Sequence, residues 1–309
     1  MTALRPPFPF FGGKSRFADL VWSRLGDPGA YAEPFAGSLG ILLGRKAPGK
    51  VEIVGDANGF ISNFWRAVQS DPDAVAYHAD YPCYQHDLYA RNRFVMRWVS
   101  GESRRLLEDP KYFDAEIAGW WLWGVCASPN GSKFGLIDAG AHPETGGRGV
   151  NVLAAKYPGE VGSGERLRDV MQTLASRLSR VSVMAGDWTS TVAERRLNGN
   201  RQVKGDGSDH TVGVFLDPPY KIMREERAVY LLDELSDTCA DDAYRWALQN
   251  GDRYRIAYCM EGRNREDAIY QFPEGWDVVF AGKHRIQMRK RFKDRAGNLI
   301  AFSPVCLNG

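Results

Sequence analysis

The residues best suited to chemistry in this 309-residue chain are Asp217, Pro218, Pro219 and Tyr220. They follow the apolar run 212–216, which is typical of a buried central strand. Because prolines cannot extend a sheet ladder, the strand has to end at this point. A carboxylate, a rigid turn and an aromatic ring therefore meet at the carboxyl end of a strand, where open α/β sheets bind ligands. The alternative interpretation is a strand-ending turn without chemistry, since Asp and Pro are common in turns.

The same tetrapeptide resembles the catalytic motif of amino-methyltransferases, which methylate the exocyclic nitrogen of adenine or cytosine. The lone pair of such a nitrogen is conjugated with the ring, so the nitrogen is a poor nucleophile. The Asp217 carboxylate and the Pro218 carbonyl would each accept a hydrogen bond from it and stabilise the positive charge that develops during methyl transfer. Tyr220 would offer a face to the target base, which has to leave the duplex to reach such a pocket.

A nucleoside site is predicted from other strand ends. Gly37 lies in a turn after a predicted strand, where a small residue lets a ligand approach the backbone, and Asp56 follows about 20 residues further on. This spacing fits NAD or S-adenosylmethionine, and the lack of a GxGxxG fingerprint disfavours NAD. Asp56 alone is equally compatible with a helix N-cap or a turn. Asp187 and Trp188 end a third strand and fit the flanks of an adenine, although core packing alone explains Trp188 better.

Alternating strand and helix patterns position these residues. An amphipathic helix is predicted from Phe17 to Leu25, with Ser15 as its cap, and a further helix is predicted through 41–43. After the Asp217 motif the sequence predicts one more helix and three strands. The predicted strands of the chain are 31–35, 51–54, 181–184, 212–216, 255–260, 277–281 and 286–292.

Several motifs occur in a fixed order along the chain: Phe11-Gly12-Gly13-Lys14, Glu33-Pro34-Phe35-Ala36-Gly37, Asp56-Ala57-Asn58, Gly186-Asp187 and Asp217-Pro218-Pro219-Tyr220. Over nearly the whole chain they resemble the Dam-type DNA adenine N6-methyltransferase family, in particular its bacteriophage and prophage members. The resemblance implies an α/β, Rossmann-like S-adenosylmethionine-dependent methyltransferase fold with an inserted target-recognition module. The family usually has a second glycine two positions after Gly37, where this chain has Leu39.

The resemblance also implies the cofactor site. Asp56 would bind the ribose, and Asp187 and Trp188 would border the adenine. Phe11 and Lys14 would line the pocket near the methionine end of the cofactor, whereas the alternative for Lys14 is a solvated charge in the first helical turn. The complete expected set for S-adenosylmethionine is Phe10, Phe11, Gly12, Gly13, Lys14, Glu33, Pro34, Phe35, Ala36, Gly37, Ser38, Asp56, Ala57, Asn58, Asp187, Trp188 and Asp217.

Residues 77–164 are predicted to form the inserted target-recognition module, between the cofactor-binding part of the catalytic domain at 1–76 and its second part at 165–309. The pattern there changes to two helical stretches and then to a glycine-rich region. In the family this place holds a DNA-reading hairpin, and Asn, Arg and Lys suit base edges and phosphates. The glycine content favours relaxed sequence specificity. The implied DNA-binding residues here are Asn130, Lys133, Arg148, Asn151 and Lys156.

Plainer interpretations exist for the same module. An Asn-Gly pair at 130–131 is an ordinary hairpin turn, and Trp120, Trp121 and Trp123 fit a core better than base stacking.

A basic run near the C-terminus offers Arg289 and Arg291 as phosphate contacts, or else as charges that protect an exposed sheet edge.

The composition of the chain limits the class of protein to which it can belong. Hydrophobic residues make up 44% and charged residues 25%, which is ordinary for a globular domain, and the net charge of +2 gives no global basic field. The five cysteines have no CxxC spacing and the five histidines no ligand spacing, so we expect no metal. No signal peptide or membrane span is evident, so we expect a cytoplasmic protein of a bacterium or an infected host cell, as a monomer or weak dimer.

The sequence therefore predicts methyl transfer from S-adenosylmethionine to adenine N6 in double-stranded DNA, through base flipping. One alternative keeps the chemistry and changes the acceptor to cytosine N4, RNA or a protein amide. A second is a catalytically retired DNA-binding regulator. A nicotinamide-dependent oxidoreductase is disfavoured by the missing fingerprint and by the Pro-Pro turn.

Overall fold

The computed structural model describes residues 4–9, 12–81, 85–127, 134–135, 165–198, 211–219, 236–283 and 297–308, and the statements below concern those residues. Their centre is one mixed sheet of seven strands in the order β3-β2-β1-β4-β5-β7-β6. The strands are β1 (Ala30–Glu33), β2 (Val51–Asp56), β3 (Val181–Ala185), β4 (Val212–Leu216), β5 (Arg255–Gly262), β6 (Asp277–Lys283) and β7 (Gly297–Phe302).

The first five strands of the sheet are parallel, and their order reverses at β1. From β1 the chain moves outward through β2 to β3, then returns to place β4 on the other side of β1. From β4 it continues outward to β5. In sheets of this type the crevice at the reversal point, outside the carboxyl ends of the strands, is where ligands bind. The expected α/β class is confirmed, and the arrangement is compatible with a Rossmann-like fold.

Helices cover both faces of the sheet because its central strands are apolar on both sides. Along β4, Val212, Val214 and Leu216 pack into the cluster that includes Ala243 and Ala247 of one helix. Phe215 points into the opposite cluster. The helices are α1 (Ala18–Leu25), α2 (Gly59–Ser70), α3 (Pro72–Ala79), α4 (Gln85–Gly101), α5 (Arg105–Glu108), α6 (Ala115–Ala127), α7 (Glu165–Leu178), α8 (Glu194–Leu197) and α9 (Ser236–Asn250).

The tryptophans of α6 are part of the protein interior, as core packing predicts. Trp121 and Trp123 are buried, and Trp120 packs partly buried against the same cluster, which also contains residues of α2 and α7. Arg91 of α4 lies over the rings of Trp120 and Trp123 at 5.2 and 4.6 Å. Cation–π contacts of this kind stabilise a buried guanidinium. The boundaries proposed for the module at 77–164 stay a prediction.

Two predicted features of the N-terminal region are wrong in detail. Ser15 does not cap α1: it is exposed and begins a short 3-10 turn, Ser15–Phe17, that leads into the helix without a side-chain cap. The helix predicted through 41–43 is only a 3-10 turn, Leu42–Gly44. Its first N–H, that of Leu42, donates to the Glu33 carboxylate rather than to a helical carbonyl.

The C-terminal strands differ from prediction at one place. The strands predicted at 255–260 and 277–281 correspond to β5 and β6, whereas β7, at Gly297–Phe302, was not predicted. It lies antiparallel between β5 and β6 and all of its residues are buried. The strand predicted at 286–292 lies outside the described residues. No helix in the described part of the chain is both long and apolar enough to cross a membrane.

Candidate functional site

Carboxylates stand at the carboxyl ends of neighbouring parallel strands. β1 ends at Glu33 and β2 ends at Asp56, while Asp217 directly follows β4 and Asp187 follows β3 by two residues. Because β1 pairs with both β2 and β4, three of these ends meet around the reversal point of the sheet. The structure thus brings together the strand ends that the sequence singled out.

Asp217 forms an ion pair with Lys14 from the N-terminal segment. Lys14 Nζ lies 2.8 Å from Asp217 Oδ2 and also donates to the carbonyl of Gly12 at 2.7 Å. Lys14 is 5% exposed, so its interpretation as a solvated surface charge is wrong. Burial lowers the pKa of the ammonium, but the charge of Asp217 and a smaller contribution from Cys259 outweigh burial and leave the pKa above its usual value. Lys14 is therefore a cation at neutral pH.

Glu33 is a buried carboxyl with an environment unlike that of Asp217. Its Oε2 accepts a hydrogen bond from the Tyr31 hydroxyl at 2.9 Å and one from the Leu42 N–H at 3.1 Å. Burial raises the pKa of Glu33 to about 8; the two hydrogen bonds oppose the shift, and the charge of Asp217 adds to it. Glu33 is thus mainly protonated at neutral pH, which makes it a structural acid rather than a second anionic acceptor.

The predicted glycine turn and the predicted ribose carboxylate are in direct contact. The N–H of Gly37 donates to Asp56 Oδ2 at 2.9 Å, and the N–H of Asn58 donates to Oδ1 at 2.9 Å. Burial raises the pKa of Asp56 to about 6, although both hydrogen bonds lower it. The N-cap of α2 is Asn58, whose side chain accepts from the Phe60 N–H, so Asp56 is not the cap. The other half of the alternative, a turn residue, agrees with the Asp56 Oδ1 contact to the N–H two residues further on.

The turn after β1 has an unusual backbone at Leu39. Gly37 has φ 45°, and Leu39 has φ 55°, a left-handed conformation in which glycine is the least strained residue. Leu39 adopts it nonetheless because its side chain is fully buried in the core. The turn also touches the Lys14 segment, since a Cβ on Gly40 would come within 2.7 Å of the Ser15 nitrogen. Leu39 thus combines a left-handed turn with an apolar anchor in the core.

Asp187 is half-buried, whereas its neighbour Trp188 is part of the core. Asp187 is half-buried and caps the 3-10 turn Trp188–Ser190 through the Thr189 N–H at 2.8 Å. Trp188 is buried and stacks on Phe35, with ring centroids 5.9 Å apart. Trp188 therefore packs as the alternative interpretation predicts, against half-buried Phe35, which follows β1 by two residues. Gly186 has φ 101°, and a Cβ on it would meet Leu107 at 2.7 Å.

The remaining sequence-predicted residues fall into three groups. Around the turn after β1, Pro34, Ala36 and Ser38 are buried, and the Ala36 N–H donates to the Gly55 carbonyl at 2.9 Å. Gly13 is exposed, Pro218 is buried, and Gly12, Ala57, Asn58 and Pro219 are partly buried. Predicted residues outside the described part of the chain are Phe10, Phe11, Tyr220, Asn130, Lys133, Arg148, Asn151, Lys156, Arg289 and Arg291.

Two residues near the site were missed by sequence reasoning. Tyr31 shares a strand face with Glu33 two positions later, and this period of two is a signal that identifies its partner. Leu107 is 56% exposed in α5 and lies beside Gly186, at the end of β3. No local pattern marks Leu107, because its position depends on how α5 packs on the sheet.

Within the described residues there is no group of His, Cys, Asp and Glu side chains that could hold a metal ion. Comparison of the sequence with protein-family models gave no match. Comparison with curated proteins gave none either. The arguments for function therefore rest on the chain's own residues.

Proposed function

We propose that this protein is an S-adenosylmethionine-dependent methyltransferase that acts on the N6 amino group of adenine in DNA. The observation that carries the proposal is the position of Asp217 and Pro218 at the end of β4, one strand away from the Gly37 turn that binds Asp56. An acceptor pair for an amino group and a nucleoside-type site thus share the reversal point of one sheet.

The residues at this edge suit the cofactor. The glycine turn permits close approach of a ligand to the backbone, and Asp56 is held in place by two backbone N–H groups. A carboxylate at this place fits ribose hydroxyls, and half-buried Phe35, stacked on Trp188, offers an apolar surface. When bound, S-adenosylmethionine supplies an electrophilic methyl group.

The chain's own residues activate the acceptor nitrogen. The Asp217 carboxylate and the Pro218 carbonyl accept hydrogen bonds from the amino group, which draws the nitrogen toward tetrahedral geometry and stabilises its developing positive charge. Buried Pro218 fixes its carbonyl with little reorganisation. Tyr220 lies outside the described residues, and its stacking on the flipped base is part of the proposal by resemblance alone.

The sheet order supports this cofactor over a nicotinamide dinucleotide. In the dinucleotide-binding sheet, with order 3-2-1-4-5-6, the sixth strand lies beside the fifth. Here antiparallel β7 separates β6 from β5. Together with the missing GxGxxG fingerprint, this arrangement disfavours hydride transfer.

The first motif residue, Asp217, bears on which base accepts the methyl group. Asp at the first motif position favours adenine N6, because amino-methyltransferases acting on cytosine N4 more often have Ser there. The segment 77–164 would read DNA, with Asn130, Lys133, Arg148, Asn151 and Lys156 on bases and phosphates, and Arg289 and Arg291 would contact phosphates outside it.

The test is incubation of purified protein with S-adenosylmethionine and unmethylated plasmid DNA, followed by digestion to nucleosides and mass spectrometry. We expect N6-methyldeoxyadenosine from the wild type and none from Asp217→Ala. N4-methyldeoxycytidine instead would move the proposal to the other base. Cofactor binding without any methylated nucleoside would support a retired regulator or a different acceptor, and RNA run in parallel separates these two outcomes.

A further inference from the structure

Lys14 donates a hydrogen bond to the carboxylate of Asp217, the proposed catalytic residue, although the two residues lie 203 positions apart in the sequence. Its ammonium is buried and held from two directions, by Asp217 Oδ2 at 2.8 Å and by the Gly12 carbonyl at 2.7 Å. Gly12 has φ 77°, and a Cβ there would lie 3.5 Å from Lys14 Nζ, so the turn closes around the ammonium. An ammonium so confined fixes its partner as well as its own position.

Of the carboxyl groups at the reversal point, Asp217 and Glu33 have opposite environments. Glu33 is 2% exposed and accepts from a hydroxyl and a backbone N–H. Asp217 is 20% exposed and has the ammonium of Lys14 as a partner. The Lys14 ammonium thus contacts Asp217 directly.

We propose that Lys14 is a positioning residue that holds the Asp217 carboxylate in one orientation for the substrate amino group. A carboxylate has about four lone-pair sites, so its bond to Lys14 is compatible with a further hydrogen bond from an amino group. The inference rests on the proposed function, since it gives Lys14 a task in the reaction on the amino group.

Other charged and titratable groups lie around the ion pair. The charge of Asp217 adds to the raised pKa of Glu33 in β1, while Cys259 of β5 raises and Arg16 of the adjoining 3-10 turn lowers the pKa of Lys14. Without the ammonium, Asp217 Oδ2 loses the hydrogen bond from Lys14, and its orientation toward a substrate amino group is less well defined.

The first test is single-turnover methylation at saturating S-adenosylmethionine and DNA by the wild type, Lys14→Met and Lys14→Arg, with cofactor affinity measured in parallel. We expect the Lys14→Met rate to fall by about 10–100-fold, because a displaced reacting group costs this much. Lys14→Arg keeps a cation beside Asp217 and is expected to restore part of the rate. A wild-type rate in Lys14→Met, or a loss of rate accounted for by lost cofactor binding, would overturn the assignment.

The second test needs no activity and uses melting temperatures of Lys14→Met, Asp217→Asn and the double variant at pH 7. Each single change leaves a buried or half-buried charge without its partner, whereas the double change removes both charges. We expect each single variant to melt lower than the wild type and the double variant to recover most of the loss. Additive losses would refute the ion pair as a coupled unit.

The two tests separate this inference from the proposed function. If the wild type binds S-adenosylmethionine but methylates neither DNA nor RNA, the proposed function fails, and the role of Lys14 in methyl transfer fails with it, even where the melting cycle shows coupling. If the wild type methylates adenine and Lys14→Met keeps the wild-type single-turnover rate, the proposed function stands and only the role of Lys14 is refuted.

Discussion

Gly37 and Asp56, 19 residues apart, are joined by a hydrogen bond of 2.9 Å from the backbone N–H of the first to Oδ2 of the second. The bond ties the turn after β1 to the end of β2, and Trp65 of α2 holds the other side of the turn by donating its indole N–H to the Gly37 carbonyl at 2.9 Å. The turn proposed to bind the cofactor is therefore held in place by contacts within the chain itself.

Asp56→Asn tests that organisation. An amide has one acceptor oxygen, so the change leaves one of two backbone N–H groups facing an NH₂. We expect a loss of about 1–3 kcal/mol in the free energy of unfolding, measured by urea titration. We also expect cofactor binding, measured by calorimetry, to weaken at least ~10-fold through loss of a charge-assisted bond to the ribose.

Asp267→Asn is the matched control, because Asp267 Oδ1 also accepts two backbone N–H groups, those of Arg263 and Asn264, in an exposed loop. It is expected to leave cofactor affinity unchanged. Equal cofactor affinity in Asp56→Asn and the wild type would contradict the assignment of Asp56 to the ribose.

Glu33 makes the stability of the protein depend on pH. Since burial raises its pKa from 4.5 to about 8, the folded protein binds more protons than the unfolded chain between these values. The free energy of unfolding therefore falls as pH rises through this window. Glu33→Gln keeps an acceptor for Tyr31 and Leu42. We expect its free energy of unfolding to fall less with rising pH than that of the wild type.

The measurement is urea denaturation at intervals from pH 6.5 to 8, above the titration of Asp56 at about 6. Glu266→Gln, at an exposed position, serves as the control and should keep the wild-type slope. A wild-type slope in Glu33→Gln would show that Glu33 is ionised throughout this range.

How far the sequence could predict these features depends on the distance between the residues involved. The strand at 212–216 was predicted with the bounds of β4, since an apolar run between Thr211 and a Pro-Pro turn leaves little choice. The contact of Gly37 with Asp56 was implied by neighbouring strand ends. The Lys14–Asp217 pair was not predicted, because no local pattern encodes a contact across 203 residues.

Other errors came from tertiary contacts that override local preference. The helix expected through 41–43 is only a 3-10 turn, which ends at Arg45 in an extended conformation while the Leu42 N–H is held by the Glu33 carboxylate. Strand β7 lies near the end of the chain and pairs on both sides, with β5 and β6. Neither effect is visible in hydrophobic periodicity alone.

At Leu39, replacement by glycine is expected to destabilise the protein less than replacement by alanine. Both Leu39→Ala and Leu39→Gly remove a fully buried side chain and are expected to destabilise by about 2–5 kcal/mol. At φ 55° glycine avoids a strain of about 1–2 kcal/mol that alanine keeps. Leu39→Gly should therefore unfold at a higher urea concentration than Leu39→Ala.

The same pair of changes at Leu43, which is equally deep in the core and does not have a positive φ, is the control. There glycine should be worse than alanine by about 0.5–1 kcal/mol. The same order of stability at both positions would show that the left-handed turn at Leu39 carries no strain.

The most direct test of the central claim is a single-turnover experiment with S-adenosylmethionine tritiated in its methyl group and duplex DNA. It compares the wild type, Asp217→Asn and Asp19→Asn, the last being an exposed aspartate of α1. We predict tritium in N6-methyldeoxyadenosine for the wild type and Asp19→Asn. For Asp217→Asn, with cofactor binding retained, we predict a rate lower by roughly 100-fold or more. Transfer by Asp217→Asn at the wild-type rate would contradict the account.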